Sequence, residues 1–188
     1  MAGRWSLHLF DWARYEELSP RLREAAATDD FGHLDDDEAD DLLEELDESA
    51  APEEVCNALL LHLCVSAESA TFEKGLPELI LWLRRREETE DAAETLGALL
   101  SGRNHVEEWF GCDAGLMGLL TPGEAEKLNR QFDAFRRSYS PRPRRSGIGA
   151  LTRLFTTTDP AHESIQDLLS LVEQAAEQKM GLAAVLEE

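Results

Sequence analysis

Four residues between positions 105 and 112 have the types and the spacing that could do chemistry. His105 and Cys112 flank Trp109 and Phe110. A histidine within hydrogen-bond reach of a cysteine can deprotonate it and so create a nucleophile. No flanking sequence is typical of a cysteine enzyme, however, and nearness along the chain does not fix the distance between two side chains. The four residues define a candidate pocket, and the simpler interpretation is a capped turn with a partly buried thiol.

The stretch from Asp29 to Glu54 could bind cations, because it holds fourteen carboxylates and no Lys or Arg. A calcium-binding loop needs oxygen ligands at alternating positions and a glycine at the sixth position. Counted from Asp35, the fifth position is Ala39 and the sixth is Asp40, so the pattern fails. We therefore expect no metal site in this stretch.

The same stretch, which we call the acidic segment (residues 29–54), is a candidate surface for a basic protein. Complementary charge steers the encounter of two proteins and helps to select the partner. The carboxylates could instead form a solvated helix face, or imitate the backbone of a nucleic acid. The candidate partner-binding residues are Asp35, Asp36, Asp37, Asp40, Asp41, Glu44 and Glu45.

Six arginines and no acidic residue lie between Ala134 and Thr158. Part of this stretch, residues 140–149, is rich in Pro and Arg and is predicted to be a loop. Arginine suits the geometry of phosphate groups, but few aromatic residues accompany these arginines, as nucleic-acid binding by stacking would require. We favour contact with the acidic segment, in the same copy or another, or with a different protein. This secondary basic patch consists of Arg136, Arg137, Arg142, Arg144 and Arg145.

The overall charge disfavours several classes of partner. The chain of 188 residues has a formal net charge of −21, and the acidic segment alone carries fourteen negative charges. Most of such a surface would repel nucleic acids and anionic membranes, whereas a homo-oligomer remains compatible with it. The sequence shows no cofactor motif and no secretion signal, and its three cysteines lack zinc or redox spacing. We expect a cytoplasmic protein with reduced thiols and without a cofactor.

The apolar pattern predicts an α+β fold that is predominantly α, with about seven or eight helices in a single domain over residues 1–188. Ser19-Pro20 is typical of a helix start and divides a first helix from a second. Thr121, Pro122 and Glu124 are typical of another helix start. Residues 5–10 alternate at period two and residues 182–186 form an apolar run, so pairing of these two ends would give a small sheet.

The acidic segment is predicted to contain a helix. Ala39, Leu42, Leu43 and Leu46 recur at helical spacing and form a narrow apolar stripe. The surrounding carboxylates repel one another, so this helix depends on the packing of its stripe.

Three parts of the sequence together carry a family resemblance. They are the strand-like run and helix of residues 5–18, the block from Gly118 to Leu128, and the ending from Leu168 to Ala176 with Gly181-Leu182 beyond it. Together they resemble the YfbM-like family of small bacterial proteins of unknown function. The resemblance implies a bacterial α+β domain, and it carries over no catalytic residue and no ligand.

Two functions from different classes fit these observations. The first is a protein–protein interaction module whose acidic surface binds a basic partner, for example an immunity-type or regulatory protein. The second is a small enzyme or ligand sensor with a pocket near Trp109, Phe110 and Cys112. We favour the first, because no catalytic motif accompanies the pocket residues.

Overall fold

The two ends of the described chain pair with each other as neighbouring strands. The computed structural model describes residues 4–32, 34, 39, 43, 51–72, 75–101, 116–139 and 161–187. Strand β1 (Arg4–Phe10) runs antiparallel to strand β4 (Gly181–Glu187), and the paired residues extend from Arg4 opposite Glu187 to Phe10 opposite Gly181. The predicted pairing of the two ends is confirmed.

The sheet contains two further strands that the sequence analysis did not predict. Strand β2 (Val65–Phe72) pairs with β1, and strand β3 (Leu116–Leu120) pairs with β4. The strand order is β2-β1-β4-β3, and all neighbouring strands are antiparallel. The terminal strands β1 and β4 are therefore the central strands of the sheet.

Helices pack against both faces of this sheet. On one face lie α1 (Trp12–Thr28) and α2 (Pro52–Cys64). The helices on the other face are α3 (Leu76–Arg84), α4 (Glu90–Leu100), α5 (Pro122–Gln131), α6 (Asp133–Ser138) and α7 (Ala161–Gln178). A short 3₁₀ turn (Glu87–Thr89) joins α3 to α4.

Each face of the sheet contributes to a separate apolar core. Successive side chains of a strand point to opposite faces, so Leu7 and Leu9 lie in one core while Phe10 lies in the other. On β4, Leu182 and Ala183 are divided between the cores in the same way. We call the core beneath α3–α7 the major core and the core beneath α1 and α2 the minor core.

The prediction that a new helix begins at Ser19-Pro20 is wrong, because α1 continues through Pro20. A proline inside a helix removes one backbone hydrogen bond and costs about 3 kcal/mol. Tyr15 and Leu18 before the proline and Leu22 after it are all buried in the minor core. This shared burial holds the two halves together as one helix.

The predicted number of helices is too high for the part of the chain that the structure describes. Among the helices whose bounds are given above, α5 and α6 are separated only by Phe132, and counted together they leave six helices instead of seven or eight. The coarser prediction, an α+β fold that is mostly helical, is confirmed.

The start of α5 matches its prediction in detail. The Thr121 hydroxyl accepts a hydrogen bond from the Glu124 backbone N–H at 3.2 Å, and the Glu124 carboxylate accepts one from the Thr121 N–H at 2.8 Å. This reciprocal cap fixes where β3 ends and α5 begins.

Gly118 provides a test of how closely β3 packs against α4. A Cβ at this position would overlap the Leu99 carbonyl oxygen, whereas a Cβ at Gly123 would meet open space. We predict that Gly118→Ala lowers the free energy of unfolding by about 1–3 kcal/mol, the usual effect of overpacking a core. The control Gly123→Ala should leave it unchanged or slightly higher, because alanine favours a helix. Urea unfolding measures both, and equal effects would contradict the packing described.

Candidate functional site

The acidic segment is attached to the minor core through apolar residues within it. Leu34 and Ala39 are fully buried there, and Leu43 is partly buried against the same core. Ala39 and Leu43 are both helical and stand one turn apart, as the predicted stripe requires. The segment is therefore anchored on the α1/α2 side of the sheet.

The carboxylates predicted to bind a partner fall outside the described residues. They are Asp35, Asp36, Asp37, Asp40, Asp41, Glu44 and Glu45. The anchoring residues lie among them in the sequence, since Ala39 precedes Asp40 and Leu43 precedes Glu44. The structure thus locates Ala39 and Leu43 of the predicted stripe.

Arg136, which was predicted to belong to the basic patch, makes hydrogen bonds to backbone groups within the fold. Its Nη1 donates to the Asn129 carbonyl and its Nη2 donates to the Leu169 carbonyl, both at 3.1 Å. The guanidinium also lies 3.5 Å from the Asp133 carboxylate, and the side chain is only 22% exposed. Arg136 therefore ties α5 and α6 to the middle of α7.

Arg137 differs from its neighbour. Its Nε donates to the Asp133 carbonyl at 3.1 Å, one turn earlier in α6, and its side chain is exposed. The other arginines of the predicted patch, Arg142, Arg144 and Arg145, lie outside the described residues.

The anchoring residues of the acidic segment and Arg136 lie on opposite faces of the sheet. Leu34 and Ala39 belong to the minor core, whereas Phe135, next to Arg136, belongs to the major core. The hypothesis of internal compensation therefore does not hold for Arg136, whose partners are Asp133 and two backbone carbonyls.

The residues of the alternative pocket are also beyond the described ranges. They are His105, Trp109, Phe110 and Cys112. The pocket stays a prediction from the sequence.

Ser6 and His8 on β1 are hydrogen-bonded in the arrangement that a nucleophile and its general base would have. The His8 Nδ1 lies 3.0 Å from the Ser66 carbonyl of β2, and its Nε2 lies 2.9 Å from the Ser6 hydroxyl. Because a carbonyl can only accept, we assign the proton to Nδ1, so the Ser6 hydroxyl donates to Nε2. Ser6 is only 1% exposed, however, and a substrate could not reach it. The pair is a link between β1 and β2.

The sequence alone indicates that Ser6 and His8 lie side by side. Ser6 and His8 alternate with Leu7 and Leu9, so a strand places the two polar side chains on one face. The third member, the Ser66 carbonyl, belongs to β2, which the sequence analysis did not predict.

Three groups that could titrate or react lie in the minor core. Cys56 and Cys64 are buried, and the Cys56 thiol donates to the Leu22 carbonyl at 3.6 Å. Burial raises the pKa of the Tyr15 phenol well above its ordinary value, and the opposing effect of the nearby Arg23 is smaller. These contacts place both cysteines and the tyrosine in the packing of the core.

Neither a metal-ligand cluster nor a membrane-spanning helix occurs in the part of the chain that the structure describes. Within it, no three His, Cys, Asp or Glu side chains are grouped so that they could hold a metal ion. None of its helices combines the length and the apolar character needed to cross a membrane.

Comparisons with protein-family models, with curated proteins and with solved structures found no significant match to this chain. The resemblance to the YfbM-like family stays a prediction.

The structural role of Arg136 can be separated from a role in binding. We predict that Arg136→Ala lowers the free energy of unfolding by at least about 3 kcal/mol, because it removes two hydrogen bonds from a charged donor that contribute about 1.5–3 kcal/mol each. Arg137→Ala should change it by less than about 0.5 kcal/mol, as expected for an exposed side chain. Chemical denaturation of both variants checks this, and a stable Arg136→Ala protein would show that the two carbonyl contacts matter little.

The buried phenol of Tyr15 predicts a loss of stability in alkali. Its pKa is raised in the folded state, so above the unfolded value of about 10 the unfolded chain loses this proton while the folded chain keeps it. The free energy of unfolding should therefore be unaffected by this group below about pH 10 and fall as the pH rises further. Urea titrations between about pH 8 and 11 should give a shallower fall for Tyr15→Phe than for the wild type.

Proposed function

We propose that the acidic segment is a binding surface for a basic protein and that the chain works as a protein–protein interaction module. Its charge pattern motivates the proposal, since fourteen carboxylates occur without a Lys or Arg among them. Such a surface raises the rate of encounter with a basic partner and disfavours acidic ones.

The attachment of the segment to the minor core is the observation that carries this proposal. Leu34 and Ala39 are fully buried and Leu43 is partly buried against α1 and α2. A segment fixed at these points loses less conformational entropy on binding than a free acidic tail would. The contacts of Arg136 add support, because its guanidinium is hydrogen-bonded to backbone carbonyls of α5 and α7.

An immunity-type or regulatory protein in the bacterial cytoplasm is the concrete form that we propose. Such a protein needs a stable fold and a complementary surface, and it needs no reaction of its own. The cytoplasmic location and the bacterial origin are parts of this hypothesis.

Charge reversal within the acidic segment tests the proposal. The test variant carries Lys at positions 36, 37, 40 and 41 in place of Asp. A matched control makes the same change of charge with four exposed carboxylates of α4, α5 and α7, namely Glu94, Glu126, Glu173 and Glu177. Immobilised wild-type protein and both variants are incubated with bacterial lysate, and the retained proteins are identified by mass spectrometry.

We expect a basic protein that the wild type and the control retain and that the test variant loses by about tenfold or more, since like charges across an interface cost several kcal/mol. Circular dichroism checks that all three proteins are folded. The proposal fails if the test variant and the wild type retain the same proteins in the same amounts.

The alternative function, a small enzyme or ligand sensor near Trp109, Phe110 and Cys112, predicts a different result. A specific metabolite would raise the melting temperature of the wild type, because a ligand that binds only the folded state stabilises it. The same metabolite would have no effect on Cys112→Ala or His105→Ala.

A further inference from the structure

The outer edge of β2 is an exposed side of the sheet. β2 is the first strand in the order β2-β1-β4-β3, and among the residues that the structure describes no strand pairs with its outer side. Three residues in the middle of β2, namely Ala67, Glu68 and Ser69, are exposed. The backbone N–H and C=O groups along such an edge can pair with an extended segment of another chain, or with the same edge of a second copy.

A bulge interrupts the ladder between β1 and β2 at this exposed point. His8 of β1 lies opposite Ser69, and Phe10 lies opposite Val65. Between these two pairs β1 advances by two residues and β2 by four, so β2 holds two residues more than a regular ladder needs. A bulge bends its strand, increases the local twist and interrupts the regular spacing of backbone groups that an added strand requires.

Side chains of the same molecule bind two backbone groups within the bulge. The Ser66 hydroxyl accepts a hydrogen bond from the Glu68 N–H at 3.1 Å. The Ser66 carbonyl accepts one from Nδ1 of His8 at 3.0 Å, and the Ser6 hydroxyl holds the other side of the imidazole ring at 2.9 Å. Both backbone groups are therefore satisfied without an added strand, and the His8 ring fixes the bulge to β1.

Glu68 adds a charge at the centre of this edge. It is the only charged residue of β2, and it lies in the middle of the eight-residue strand. Antiparallel pairing of two β2 strands about a two-fold axis would therefore bring two Glu68 carboxylates close together, and like charges on neighbouring strands destabilise the pair. An uncharged partner strand would take water away from the carboxylate and offer it no hydrogen bond in return.

We propose that the bulge and Glu68 act together as a device that blocks strand addition at the outer edge of β2. Bulges and charged residues are two of the means by which edge strands avoid pairing with other chains. The device gives the hydrogen bonds of His8 with Ser6 and Ser66 a role beyond the link between β1 and β2. It also confines the binding of partners to surfaces other than this edge.

Substitutions of Glu68 in the full chain test the role of the charge. Glu68→Val removes the carboxylate and introduces a residue that favours strands. Glu68→Lys keeps a charge at the edge, although it lowers the net negative charge of the chain further than valine does. Glu173→Val is the matched control, because it makes the same change at an exposed position of α7, where the backbone groups are paired within the helix.

Sedimentation velocity at rising protein concentration measures the association of each purified variant. We expect Glu68→Val to associate at least about tenfold more strongly than the wild type, because it removes the repulsion between like charges across the contact. Glu68→Lys and Glu173→Val should associate no more than the wild type. Hydrogen exchange of the associated Glu68→Val protein should show added protection of the β2 amides.

A variant that lacks residues 67 and 68 tests the bulge. The deletion leaves Ser66 alone between Val65 and Ser69, opposite Leu9 of β1, and so restores a regular ladder. We expect this variant to associate more strongly than Glu68→Val. Circular dichroism checks that each variant is folded. If the deletion prevents folding, Ser66→Ala combined with Glu68→Val takes its place, because it frees the backbone N–H of position 68.

The proposal is overturned if Glu68→Val associates no more than the wild type, if the added protection lies outside β2, or if the folded bulge variant associates no more than Glu68→Val. Equal association of Glu68→Lys and Glu68→Val would also overturn it, because the net charge of the chain would then control association and the edge would not.

Discussion

The pairing of β1 with β4 is the constraint on which the rest of the structure depends. It joins residues that are more than 170 positions apart in the chain, from Arg4 opposite Glu187 to Phe10 opposite Gly181. Both strands are central, so each supplies side chains to two cores at once. Because the strands alternate their side chains, the division of helices between the two faces follows from this register. A shift by one residue would exchange Leu7 and Leu9 with Ser6 and His8 and would disrupt both cores.

The sequence predicted those parts of the fold whose causes are local. The cap at Thr121 and Glu124 needs only four residues, and it forms as expected. The stripe at Ala39 and Leu43 needs only helical spacing. Strand β2 was missed because it lies at the edge of the sheet, where Ala67, Glu68 and Ser69 are exposed and the alternation of apolar residues is weak. The prediction at Pro20 was wrong for the opposite reason. Burial of Leu18 before the proline and of Leu22 after it outweighs the local preference of Ser-Pro for a helix start.

The surfaces were harder to predict than the elements, because residue type does not distinguish an internal arginine from an external one. Arg136 and Arg137 are adjacent and chemically identical, yet one is bound to Asn129 and Leu169 and the other is exposed. The two arginines are distinguished by the position of α7, which Arg136 contacts. That position depends on the packing of the whole major core. The same limit applies to His8, whose partner Ser66 is known only once β2 is placed.

The sheet thus places the anchor of the acidic segment and several arginines on opposite sides of the molecule. The acidic segment is anchored on the α1/α2 side, while Arg85, Arg86 and Arg137 lie on the α3–α7 side. Opposite charges that could meet within one copy would neutralise each other and leave little for a partner. The sheet keeps Arg136 away from the side where the segment is anchored, whereas Arg14, Arg21 and Arg23 of α1 belong to that same side. The register of β1 and β4 therefore decides on which side of the sheet each of these described residues lies.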